Sequence, residues 1–113
     1  MAEDYSSQAA FPFAQRFALS GTADKVTEIK LPKDGRKLTV IFETNAGKFT
    51  HTGTDDTAIG TEFFTVPADS AFEVVYGMGV SAADPLSVYV GSGTASTNVC
   101  VLLEGKVDLE DRN

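Results

Sequence analysis

Few side chains in this chain could do chemistry. It has one histidine, one cysteine and no tryptophan. A catalytic metal site needs three protein ligands of suitable type. His51 and Cys100 alone exclude a histidine-rich zinc site within one chain. Three copies of His51 meeting on a threefold axis would be the remaining route; the plainer reading is a partly buried strand histidine. Cys100 lies in the apolar run Val99-Cys100-Val101-Leu102-Leu103 and has no partner for an intramolecular disulfide. It reads as a buried, inert thiol. A nucleophilic cysteine would need histidine in an electropositive setting, and nothing in the spacing brings His51 near.

The remaining candidates are oxygen ligands, carboxylate pairs and exposed rings. Asp55, Asp56 and Thr57 could hold calcium through carboxylate and hydroxyl oxygens. They lack the spacing and terminal glutamate of an EF-hand, and an ordinary exposed loop is the competing reading. Glu43, Glu62 and Glu73 could in principle supply the acid pair of a glycosidase, but each sits at an outward strand position, where solvation suffices. Gly77 and Gly79 form a Gly-x-Gly pair without the third glycine or the βαβ setting of a dinucleotide site, so a sharp bend is expected. Tyr76 and Tyr89 are the aromatics that could present a flat ring to a sugar. Tyr89 alternates with Val88 and Val90 and is expected on the outer face. No cofactor is implied, and an enzyme on such a scaffold is the least favoured class.

The elements that must position these residues are short strands. From Thr22 to Val107, runs rich in Val, Ile, Phe, Thr and Tyr alternate with turns of Gly, Asp, Asn, Ser or Pro. Phe11, Phe13, Phe17 and Leu19 alternate as in a strand, although Phe13 and Phe17 also fit a helical i,i+4 pair; Pro12 opposes a helix there. Val26, Ile29 and Leu31 form a strand stopped by Pro32-Lys33-Asp34-Gly35. In Lys37–Thr44, the residues Leu38, Val40 and Phe42 share one face. Asn45-Ala46-Gly47 signals a tight hairpin, from which Lys48–Thr52 returns with Phe49 and His51 on one face. Gly53–Gly60 is the longest polar loop and the favoured place for a ligand or partner contact. Strands follow at Glu62–Val66, at Phe72–Tyr76, at Leu86–Val90 and at Asn98–Val107. The last is apolar on both faces through Leu103, so it is either central in a sandwich or covered by another subunit. Some eight strands and no convincing helix predict an all-β, antiparallel β-sandwich of jelly-roll or related Greek-key topology. An immunoglobulin-like sandwich is the rival, without the Cys…Trp…Cys core or tyrosine corner.

The 113 residues fit one domain. The division expected is an N-terminal arm and first strand (1–19), a sandwich body (20–107) and an acidic C-terminal tail (108–113). Met1–Ala10 reads as an extended or mobile arm. The formal charge is −7, and Glu3, Asp4, Asp108, Glu110 and Asp111 supply five of the sixteen acids. A near-neutral body with acidic ends disfavours direct binding to nucleic acid, which needs a Lys/Arg surface. No apolar run approaches the ~20 residues of a membrane helix. The N-terminus lacks the basic and apolar regions of a secretory signal, so synthesis and folding in a cytosol are expected.

The segments LTVIFETNAGKFTHTGTDDTAIG, EFFTVPADSAFEVVYGMG and SVYVGSGTASTNVCVLLEG resemble small virion structural proteins of tailed bacteriophages. The likeness is to head decoration (cement) proteins and related tail or fibre modules. It rests on Thr/Ala/Gly/Ser-rich strands, an extended N-terminal arm and a last strand ending in Leu-Leu-Glu-Gly, and it covers most of the chain. It implies a non-enzymatic jelly-roll or β-sandwich protein on the outer capsid surface, a homo-oligomer with a trimer favoured, and the major capsid protein or another virion protein as partner. Phe11, Pro12, Phe13 and Phe17 are the expected apolar anchors, unless they pack on their own sheet. Asp55, Asp56 and Tyr89 are the further candidate contacts. The competing class is a β-sandwich recognition module, such as a fibre or carbohydrate-binding domain.

Overall fold

The structure, a computed structural model, describes residues 2–7, 11–76 and 86–105. Among these residues nine strands form two sheets: β1 (Glu3–Asp4), β2 (Phe13–Ala18), β3 (Thr27–Lys30), β4 (Gly35–Phe42), β5 (Gly47–Thr50), β6 (Phe64–Val66), β7 (Ala71–Val75), β8 (Ser87–Gly91) and β9 (Asn98–Gly105). No helix occurs among the described residues. One sheet has the order β1-β3-β8-β5-β6 and the other β2-β9-β4-β7. All pairings are antiparallel except β1 with β3. The fold is thus an all-β sandwich.

Alternation along the strands builds the core. Leu38, Val40, Phe42, Val99, Val101 and Leu103 from one sheet meet Ile29, Phe49, Val66, Val88 and Val90 from the other. Each is 2 % exposed or less. Full burial of one such side chain stabilises by roughly 1.5–3 kcal/mol, so this layer is the main source of stability. The opposite positions of the same strands point outward, as a period of two requires.

The pairing follows a simple rule. β5 pairs with β6, β4 with β7, β3 with β8 and β2 with β9. This is one long antiparallel ribbon, folded at the β5–β6 connection and rolled so that β9 meets β4 and β8 meets β5. Consequently, among the described residues, β5 and β6 are the only two consecutive strands that pair with each other. The other turns carry the chain between the sheets.

This changes the expectation at Asn45-Ala46-Gly47. These residues form no hairpin: β4 and β5 lie in different sheets. Thr44 has φ 72° and the Asn45 N–H donates to the Glu43 carbonyl at 2.8 Å, a one-residue reversal. It delivers Phe42 and Phe49 into the same core. Gly47 lies against the Phe42 ring so closely that a Cβ there would occupy the ring's position. The glycine answers a packing need rather than a hairpin turn.

Candidate functional site

The polar 53–60 loop is a strap. It leaves β5, crosses the outer face of its sheet and reaches the far edge of β3. On the way Gly53 passes over Tyr89, and a Cβ at Gly53 would lie 3.3 Å from the Tyr89 ring. At the edge, Asp56 N–H donates to the Val26 carbonyl at 2.8 Å, and Val26 N–H to the Thr57 carbonyl at 2.9 Å. Ile59 N–H donates to the Asp24 carbonyl at 2.9 Å, and Lys25 and Ala58 form an isolated bridge. Asp55 Oδ1 accepts the Glu28 N–H at 2.9 Å. A short stretch further along, β1 pairs with Ile29 and Lys30. The free edge of β3 is thereby covered, which blunts a sheet's tendency to pair with other chains.

The expected ligand loop is therefore bonded along the edge of β3. Asp55 caps a backbone amide, and Asp56 is exposed with φ 59° in the turn of the strap. Tyr89 is on the outer face but half-buried beneath the strap. Burial, with Glu28 and Asp55 nearby, pushes its phenol above the usual range. It offers no free flat ring. Among the described residues no cluster of three or more His, Cys, Asp or Glu is placed to hold a metal ion.

The N-terminal rings pack on their own sandwich. Phe11, Phe13 and Phe17 are half-buried against the core, and Pro12 is exposed. Phe11 lies so close over Gly105 that a Cβ there would meet its ring. The Phe13 ring meets Tyr5 edge to face at 5.1 Å. Tyr5 is 8 % exposed, and its N–H donates to the Lys30 carbonyl at 3.0 Å. The described part of the expected arm is thus docked. Residues 8–10, the Gly77-x-Gly79 pair and the acidic tail 108–113 lie outside the described residues.

A groove of about 290 Å³ opens where β5 and the approach to β6 diverge. It is lined by Phe49, Thr50, His51, Thr52, Glu62, Phe63 and Phe64. Rings run from its floor to the neighbouring sheet: Phe49 to His51 at 5.2 Å, Phe49 to Phe72 at 5.0 Å and Phe64 to Phe72 at 5.7 Å. His51 is exposed just past the end of β5, a correction to the half-buried strand position expected. Its Nε2 lies 3.1 Å from the Tyr76 hydroxyl. Burial pushes the Tyr76 phenol up to about 12. Phe64 is 62 % exposed and flanks the opening. Sequence reading missed this grouping because its members come from β5, β6 and the residues that flank them, which strand pairing brings together.

Cys100 also differs from expectation. It is half-buried on the outer face of the β2-β9-β4-β7 sheet, not enclosed in the core. Its Sγ donates to Glu43 Oε2 at 3.3 Å, and Arg16 Nε donates to the same oxygen at 2.6 Å. Burial, then the Glu43 carboxylate, pushes the thiol up, which keeps it protonated and unreactive. The Arg16 guanidinium and then the Cys100 thiol hold the Glu43 carboxyl below its ordinary value.

The arrangement can present apolar and aromatic surface, hold short polar contacts and resist edge pairing. Comparison with family models, with curated proteins and with solved structures finds no match.

Proposed function

We propose that this chain is a non-enzymatic virion structural protein of the head-decoration type, which binds between capsid subunits and stabilises the shell. The observation that carries the reading is the strand order. Pairs β2·β9, β3·β8, β4·β7 and β5·β6, in two facing sheets, support the jelly-roll topology that the phage resemblance implies. One fold serves many functions, so the use of its polar residues supplies the second support. Asp55, Asp56 and Tyr89 are committed to the strap, and the N-terminal rings to their own core. What is left for recognition is surface. Many copies of a modest interface, held on one lattice, bind far more strongly than one.

The test is co-sedimentation of the purified full chain with shells that lack it. Saturable uptake to a fixed number of copies per shell, and a raised temperature of shell disruption, are expected. No uptake, or uptake without saturation, would contradict the reading.

A second reading is favoured by the groove at the β5–β6 mouth: a recognition module taking a small ligand among Phe49, Phe63, Phe64, His51 and Glu62. A glycan array is the discriminating measurement. Binding that His51→Ala abolishes would put this reading first, and a blank array would remove its carbohydrate form.

A further inference from the structure

The two outer faces of the sandwich differ. On the β1-β3-β8-β5-β6 sheet the outward positions include Glu28, Ser87, Tyr89, Lys48, Thr50 and Thr65, and the strap passes over Tyr89. On the β2-β9-β4-β7 sheet the strand registers set Ala14, Leu102, Thr39 and Glu73 in one row and Arg16, Cys100, Ile41 and Ala71 in the next, so that each row carries one charge at its edge. No described residue crosses that face. Leu102, Ile41 and Cys100 are half-buried, and Val75, on the same face, is 71 % exposed. β9 is central in its sheet and its inward residues fill the core, so the core alone does not account for apolar residues on its second face.

Charge brackets this apolar centre. At one end Arg16 pairs with Glu43, just past β4, at 2.6 Å. At the other end Lys37 lies 2.7 Å from Glu73 and 3.8 Å from Glu104. Lys37, Thr39, Ile41 and Glu43 thus follow one line of the face, cation at one end and anion at the other. A twofold axis across that line, between Thr39 and Ile41, exchanges its ends. It sets Lys37 over Glu43 of the second copy, Thr39 over Ile41, and Cys100 over Leu102. Glu73 then meets Ala71 and Glu104 meets Asn98, so no like charges face each other.

We propose that this face is a self-association surface on which a second copy of the chain packs, sheet against sheet, about that twofold axis. Lys37 and Glu43, each paired within the chain, are exchanged by the axis, and this self-complementarity, which an isologous contact requires, argues for a second copy as the occupant. Four strands about 4.8 Å apart and some seven residues of about 3.4 Å rise give a face of roughly 450 Å² in projection. That is the scale of a weak interface, with dissociation in the micromolar range. The inference does not rest on the virion reading, since the purified chain is enough to test it.

The experiment is sedimentation equilibrium of the full chain from about 1 to about 500 μM, a range that brackets weak association. A reversible monomer–dimer equilibrium is expected, rising from 12.0 kDa to twice that mass. Leu102→Glu buries a charge against the second copy and should weaken dimerisation by about 30-fold or more, the loss typical of a central interface residue. Lys37→Glu, at a half-buried site outside the core, should weaken it by setting two glutamates together, and it keeps the test valid should Leu102→Glu fail to fold. Thr65→Glu, on the opposite sheet, should leave it unchanged. A monomer throughout, a trimer, or a dimer indifferent to both Leu102→Glu and Lys37→Glu would overturn the proposal.

Discussion

At the level of single residues, the polar side chains act on the backbone and on each other. Asp55 is the clearest case, since its carboxylate satisfies the Glu28 N–H at the strand edge. Asp55→Ala should cost about 1–2 kcal/mol, the effect of leaving a part-buried donor without its partner. Hydrogen exchange at Glu28 should accelerate, and Asp55→Asn should restore most of the protection. Glu43 carries a pH dependence. Its carboxyl is held below the ordinary 4.5 by Arg16 first and by Cys100 next. A depressed folded value means that the stabilisation is present above the unfolded value and is lost as pH falls through the folded one. In Arg16→Ala, NMR titration of Glu43 should move up toward 4.5, and the acid limb of stability should flatten. The roles of Asp55 and Cys100 were not legible in the sequence. The residue types were evident, but their partners lie 27 and 57 positions away.

Among the elements, strand positions were legible and strand partners were not. Alternation located β4 and its inward Leu38, Val40 and Phe42, and it placed Tyr89 on the face opposite Val88 and Val90. Periodicity describes which way a side chain points, and burial of one face enforces it. It carries no information about which strand lies alongside. Hence Asn45-Ala46-Gly47 read as a hairpin although β4 and β5 belong to different sheets. The same limit hid the groove, whose walls are assembled by pairing. The corner itself offers a test. Gly47→Ala would drive a methyl into Phe42, and overpacking of this kind costs typically 1–3 kcal/mol. Chemical denaturation should show a lower midpoint with an unchanged slope. Wild-type stability in Gly47→Ala would mean that Phe42 and Gly47 are not packed as described.

Across the whole molecule, all three tyrosines share one tendency. Tyr5, Tyr76 and Tyr89 each have a phenol raised above the ordinary 10.0, chiefly by burial, and Tyr76 reaches about 12. A raised value means that the fold favours the neutral phenol. That contribution is complete below the unfolded value near 10 and is lost as pH climbs through the folded ones. Ultraviolet titration of the native chain should therefore show no tyrosine ionising at the ordinary value, and urea should bring all three back to it. The all-β sandwich as a whole was legible because every local signal agreed on strands and none on helix. Function was not, since no cluster of reactive groups announces itself and recognition by surface leaves no short motif. The most direct test of the virion role is gradient sedimentation of the source lysate, with the chain counted by mass spectrometry in every fraction. The account predicts recovery with very large particles at many copies each. Recovery only as a free monomer or small oligomer would contradict it.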